Sequence, residues 1–263
     1  MLHVNHAFCL DMATRLRPGS RYLDYGCGAG ETVVAGVERR LDVYGSEVFY
    51  EGAPLSRTLA QSTGLLGKRI LPMNAGQLPF EDRYFDFVFH NQVFEHVPNI
   101  DLELSEIYRV LKPDGLMLSI FPCREVLWDG HCGVPFIHWF HPQSRIAYLW
   151  MLTVRRMGIG YHKKGKKSEQ WAKDFIQWIH AWCHYRSLRE LRFAYWNHGF
   201  TFESCEIDYI RFRLAYGGRQ RWAPAFAAVE PVSRWLLRRL ASMVILSSKD
   251  EHRLLGPTHR FNP

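Results

Sequence analysis

The sequence predicts a doubly wound α/β fold, a mostly parallel sheet with helices on both faces. Three observations predict it. Short apolar segments at 21–25, 42–46, 68–71, 85–90 and 115–121 alternate with stretches of helical periodicity. The first segment turns into a helix over closely spaced glycines, Asp24-Tyr25-Gly26-Cys27-Gly28-Ala29-Gly30. The second ends in an acid, Glu47, at about the interval at which a ribose-binding carboxylate follows such a turn.

Each element has its own signal. A first helix is expected from Asn5 to Leu16, stopped by Arg17-Pro18-Gly19. The glycine turn lets a ligand lie against bare backbone, and the helix beginning at Glu31 adds unpaired N–H groups. Its spacing departs from the dinucleotide fingerprint, which places its third glycine where Glu31 stands. Asp24 suits a cationic or hydrogen-bond-donating ligand and would repel a pyrophosphate. Leu102, Leu104, Ile107, Val110 and Leu111 mark one helix face, and Lys112-Pro113-Asp114-Gly115 turns into the strand ending at Phe121. A helix at 187–199, a strand at 201–208 and a strand at 242–249 are expected to complete the sheet.

Two stretches exceed this minimal pattern. Residues 122–186 form a long insertion rich in aromatics and histidine, with Trp171, Phe175, Trp178, Ile179 and Trp182 on one helical face. Residues 209–240 place Trp222, Phe226, Val229, Trp235 and Leu236 among arginines, with Pro231 expected to interrupt the helix. The chain thus divides into a core at 1–121, a helical lid insertion at 122–186, and a completion of the core at 187–263 with an inserted segment at 209–240. An insertion at the carboxyl ends of the strands lies over the ligand crevice, so 122–186 is expected to cover it and set substrate specificity.

Composition bounds the partners. Residues 1–150 carry 13 Lys and Arg against 17 Asp and Glu; residues 151–263 carry 20 against 9, within a chain of net charge +7. That asymmetry points to an anionic partner or a membrane surface. The basic residues are dispersed over several elements and form no recognised module, which argues against nucleic acid. No run of 18 apolar residues and no signal-peptide pattern are present, and the six cysteines form no Cys-x-x-Cys pair. The expected setting is the cytoplasm, with a place at the inner membrane face open to the basic half. His131-Cys132, His138 and His141 lack the spacing of a zinc site, so no metal is expected.

The run from the glycine turn through Glu47, then Asn91-Gln92-Val93-Phe94-Glu95-His96-Val97 and Arg109-Val110-Leu111-Lys112-Pro113-Asp114-Gly115, resembles the class I S-adenosylmethionine-dependent methyltransferases of small-molecule type. The resemblance covers about residues 20–121; Asp114 stands where the family usually has glycine. It implies a seven-stranded Rossmann-like fold and S-adenosylmethionine as cofactor. It sets the methionine moiety at Asp24, Gly26 and Gly28, the ribose on Glu47, and the adenine at Asn74, Ala75, Gly76 and Gln77. Asn91 would face the amino-acid end or the transferring methyl. The acceptor implied is a small molecule or saccharide, methylated at oxygen, and it can be lipid-linked. The bases offered are His96 by resemblance and His131 by its place early in the insertion. RNA methylation and a non-catalytic cofactor-binding subunit are the alternatives.

Overall fold

The computed structural model describes residues 2–249 apart from 75, 142 and 143. Among these, seven strands form one sheet in the order β3-β2-β1-β4-β5-β7-β6. The strands are β1 (Arg21–Tyr25), β2 (Asp42–Glu47), β3 (Ile70–Pro72), β4 (Phe85–Asn91), β5 (Leu111–Phe121), β6 (Glu203–Ser204) and β7 (Met243–Ser248). The first five run parallel, whereas β7 lies antiparallel to both β5 and β6. Strands β1 and β4 are buried nearly throughout, as a sheet covered on both faces requires.

The helices are α1 (Val4–Thr14), α2 (Glu31–Glu38), α3 (Ser56–Ser62), α4 (Ile100–Val110), α5 (Arg145–Arg156), α6 (Ser168–Trp182), α7 (Leu188–Asn197), α8 (Glu206–Tyr216), α9 (Ala223–Ala228) and α10 (Glu230–Leu240). One apolar layer joins α4 and α7 to the sheet through Leu104, Ile107, Leu191 and Tyr195. The other joins α1, α2 and α8 through Phe8, Leu10, Val33 and Tyr209. The polarity of the chain reverses its winding between β1 and β4, so their carboxyl ends open a crevice at neighbouring positions.

One local expectation is corrected. The strand expected at 201–208 shrinks to Glu203–Ser204, because the chain enters α8 at Glu206. Glu206 and Asp208 fall in the first helical turn, where acids complement the helix dipole, and the buried Glu206 carboxylate accepts from Arg238 Nε at 2.5 Å. Pro231 marks the expected interruption: α9 stops at Ala228 and α10 begins at Glu230, with Val229 out of helical geometry between them. The proline sits in the first turn of α10, where no N–H is required of it.

Residues 122–186 contain α5 and α6, which pack on each other around Trp171, Met151, Val154 and Ile179. The end of this segment is seated on the loop after β4. Arg186 donates to the carbonyls of Phe94, Val97 and Pro98, and the His184 amide donates to Glu95 O at 2.6 Å. Trp182 meets Tyr50, three residues past β2, with ring centroids 5.0 Å apart.

Candidate active site

The glycine turn is built for close approach. Gly26 N and Cys27 N donate to Ser46 O, and Gly26, Gly28 and Gly30 all have positive φ. A Cβ on Gly26 would strike Val93, whereas Gly28 faces open space. Glu47 Oε2 accepts from Gly28 N at 2.8 Å, while Oε1 accepts from Val48 N at 2.9 Å. Burial pushes the Glu47 carboxyl up, against the pull of these amides. Each oxygen keeps lone-pair capacity for a hydroxyl donor.

Asp24 is buried at the end of β1. Burial pushes its carboxyl up to about 7, against a hydrogen bond from the Thr32 side chain and with the Glu47 charge adding to the rise. A buried acid beside an open turn, with no ion pair among the described residues, has its charge left for a bound cation to meet.

The turn at 74–77 is closed by Gln77 N donating to Asn74 O at 3.0 Å. Glu103 on α4 anchors it by accepting from Gly76 N at 2.9 Å and also takes the Tyr25 hydroxyl. Asn74 and Gln77 are exposed; Ala75 lies outside the described residues. Asn91 Oδ1 accepts from Asn5 Nδ2 at 2.8 Å, and Asn5 Oδ1 accepts the Tyr209 hydroxyl at 2.5 Å. Buried Asn5 therefore ties α1 and α8 to the end of β4, a link that no motif announces.

The second cluster centres on two histidines. His96 Nδ1 donates to the Trp182 carbonyl at 2.7 Å, which leaves Nε2 as its basic atom. His131 Nε2 lies 3.2 Å from it. The Tyr185 hydroxyl donates to Asp129 Oδ2 at 2.8 Å, so His131 Nδ1, at 3.2 Å, is the donor to Tyr185. Asp129 Oδ1 is 3.7 Å from the same nitrogen, an ion-pair distance. It also caps the loop by accepting from the amides of His131 and Cys132.

The two rings are tuned oppositely. Burial pushes His96 down to about 4. Burial also opposes charge on His131, but Asp129, joined by Glu95, outweighs it and carries that ring above its ordinary value. Glu95 is fully buried with neither oxygen hydrogen-bonded among the described residues, and burial pushes it up to about 8. Trp178 walls the pair, 5.0 Å from His131 and 5.8 Å from His96 between ring centroids. Tyr50 joins the two halves. Burial pushes its hydroxyl up to about 12, with the charges of Glu47, Cys183 and Glu95 adding to the rise.

His138 spends Nε2 on Val126 O at 2.7 Å, and His141 is exposed; neither joins the pair. Cys183 does. Its sulfur lies with His96 and His131 in a group whose ligand-type atoms all fall within 4.8 Å of one another. Sequence spacing gives no sign of this, since the three residues come from three separate segments.

Residues 23–119 match the methyltransferase domain family, which spans the glycine turn, Glu47, Asn91 and His96. Residues 23–119 are a class I S-adenosylmethionine-dependent methyltransferase domain. A ubiquinone/menaquinone biosynthesis C-methyltransferase of Brucella abortus is 36% identical over 118 residues, 41% of this chain and 42% of that protein. A demethylmenaquinone methyltransferase of Symbiobacterium thermophilum is 31% identical over 149 residues, 48% of this chain and 55% of that protein. The chain thus spans about half the length of the curated relatives it matches. The YcgJ protein of Bacillus subtilis shares the fold, with a TM-score of 0.52 at 16% identity over 95% of this chain and all of that one. The cofactor of the methyltransferase domain is S-adenosylmethionine. Its cationic amino-acid end suits buried Asp24 and its ribose diol suits Glu47, so the residues present fit it.

Proposed function

We propose that the protein methylates a small-molecule acceptor whose nucleophilic atom first gives up a proton, an oxygen or a carbon conjugated with one. S-adenosylmethionine, when bound, supplies a methyl group on a positively charged sulfonium, ready for in-line displacement. The chain's own residues have three tasks: to hold the two molecules in line, to exclude water and to take the acceptor's proton.

The observation that carries this reading is the facing of His96 Nε2 and His131 Nε2 at 3.2 Å. Both rings donate through Nδ1, so in their neutral forms two lone pairs converge on one point. A proton delivered there is strongly held, and Asp129 makes His131 its better host. The acceptor's O–H bond, or the C–H of an enolisable acceptor, breaks toward this pair; the electron pair so freed would form the new bond to the methyl carbon, from oxygen or through conjugation from carbon, while the methyl–sulfur bond breaks and its pair leaves on sulfur as a neutral thioether. His96 and His131 are the proposed acid–base residues; Tyr185, Asp129 and Trp182 position them.

Residues 122–186 act as the lid. They supply His131, Trp178 and Trp182, and they close over the β4 loop through Arg186. Tyr50, Trp178 and Trp182 form an aromatic wall that suits a flat, apolar acceptor or the face of a sugar ring. The relatives named as C-methyltransferases favour the first. They make carbon a stronger candidate than oxygen for the atom methylated.

The test is transfer of labelled methyl from S-adenosylmethionine to a panel of phenolic and enolisable acceptors and of saccharides. His131→Ala should lower kcat by about a hundredfold while cofactor affinity stays within about twofold, the range expected for loss of a general base. An undiminished rate in that variant would remove the acid–base pair from the mechanism.

A further inference from the structure

Outside the methyltransferase site, the segment at 219–240 carries an unusual surface. Trp222, Val229, Val232, Trp235 and Leu240 are each at least half exposed, and Phe226 and Leu236 are exposed beside them. On α10 the spacing of Val232, Trp235, Leu236 and Leu240 places them on one helical face. Leu237 turns to the core, and Ser233, beside the face, is buried with its hydroxyl donating to Phe226 O at 2.8 Å. A soluble monomer rarely shows so many large apolar side chains in one place.

Beside this face lies a cleft of about 600 Å³ between α7, β6 and α10, holding four arginines, Arg192, Arg234, Arg238 and Arg239, against two acids, Glu125 and Glu230. Both acids are already engaged. Glu125 accepts from Leu188 N at the start of α7, and Glu230 pairs with Arg234. Arg234 Nε is nonetheless buried without a partner among the described residues. Arg192 lies over Phe202 and forms no ion pair among them. Trp235, exposed on the apolar face, also lines the cleft, with the Arg239 guanidinium 5.8 Å from its ring. Arg219 and Arg221 flank the face at its other end.

We infer that this surface docks on an anionic phospholipid bilayer. Trp222, Val232, Trp235 and Leu240 enter the interface, and the arginine cleft receives a lipid phosphate. Charge complementarity selects this occupant: tryptophans settle at the headgroup level, arginines meet anionic headgroups, and the orphaned Arg234 Nε gains an acceptor. No described helix is long and apolar enough to cross a membrane. The surface is also wired to the methyltransferase site. Leu127 N donates to Arg239 O at 2.7 Å, and Ser242, two residues past α10, accepts from Gln92 Nε2 at 3.1 Å. An acceptor drawn from the bilayer would reach the lid over a short path. The docking rests on surface chemistry and stands apart from the proposed methyl transfer.

The experiment is co-sedimentation of the intact protein with vesicles of phosphatidylcholine alone and of phosphatidylcholine with phosphatidylglycerol, with S-adenosylmethionine titration as the control for folding. Binding is expected only to the anionic vesicles, weakening in high salt. Trp222→Ser with Trp235→Ser should abolish it. Arg192→Gln and Arg221→Gln should each weaken it about fivefold, the worth of one basic residue at such a surface. Lys163→Gln with Lys164→Gln, on the insertion, should leave it unchanged. Three results would overturn the inference: no vesicle binding by protein that still binds cofactor, equal loss in the Lys163/Lys164 variant, or reversible dimerisation through the tryptophans in place of vesicle binding.

Discussion

Glu47 Oε2 accepts the Gly28 amide hydrogen at 2.8 Å, and this bond fixes the acid at the end of β2 against the turn at the end of β1. The same carboxylate is held by the amide of Val48, so its position is set before any ligand arrives. Preorganisation of this kind makes Glu47→Ala a clean test. If Glu47 holds the ribose as proposed, the variant should lose a charge-assisted bond worth about 1.5–3 kcal/mol, and calorimetric titration with S-adenosylmethionine should show roughly tenfold to hundredfold weaker binding.

Gly28→Val should abolish cofactor binding for a different reason. The position has φ +55° and open space around it, so the fold itself meets no clash. The branched side chain is strained in this left-handed region and fills the space the ligand needs. Loss of binding with a thermal midpoint lowered by only a few degrees is expected; global unfolding would place the defect in the backbone alone.

Asp24 gives the binding a pH dependence. Its carboxyl is raised to about 7 by burial, so at lower pH it is protonated and offers no charge to an ammonium group. Cofactor affinity should fall as pH drops from 8 to 6, and Asp24→Asn should flatten that profile. The stability effect has the opposite sense. Between the ordinary 3.8 and about 7 the folded state binds more protons than the unfolded one. The apo fold should therefore lose stability as pH rises through this window, by up to roughly 4 kcal/mol from this group. The difference between wild type and Asp24→Asn in melts at pH 5 and pH 8 isolates it from Glu47 and Glu95.

Chelation should leave methyl transfer unaffected. His96 Nε2 and His131 Nε2 already share one proton position, and burial, together with the charges of Asp129 and Glu95, holds the neighbouring Cys183 thiol well above its ordinary value and hence neutral. A rate that drops with EDTA and recovers with added zinc would turn His96, His131 and Cys183 into a metal centre.

The sheet was legible because apolar strands such as 85–90 alternate with amphipathic helices, and because Asp24, the glycines and Glu47 are local in sequence. The segment at 201–208 misled because Cys205 and Ile207 alternate with polar neighbours like strand residues, whereas Glu206 and Asp208 begin a helix whose acid is claimed by distant Arg238. The histidine cluster was half legible. His96 and His131 stand out as residue types, yet Asp129, Tyr185 and Cys183 gain meaning only when the insertion folds back on the β4 loop. Asn5 was invisible for the same reason, since its partners Asn91 and Tyr209 lie 86 and 204 residues away.

The central claim joins one cofactor site to one acid–base pair, and a crystal structure with S-adenosylhomocysteine bound tests it most directly. The expected structure has the ribose hydroxyls on Glu47, the amino group at Asp24, and the sulfur opening toward His96 and His131 within reach of one intervening acceptor. A bound nucleoside that leaves Glu47 and Asp24 untouched, or a sulfur more than about 10 Å from both rings, would contradict it, because a general base acts within hydrogen-bond reach or through one water.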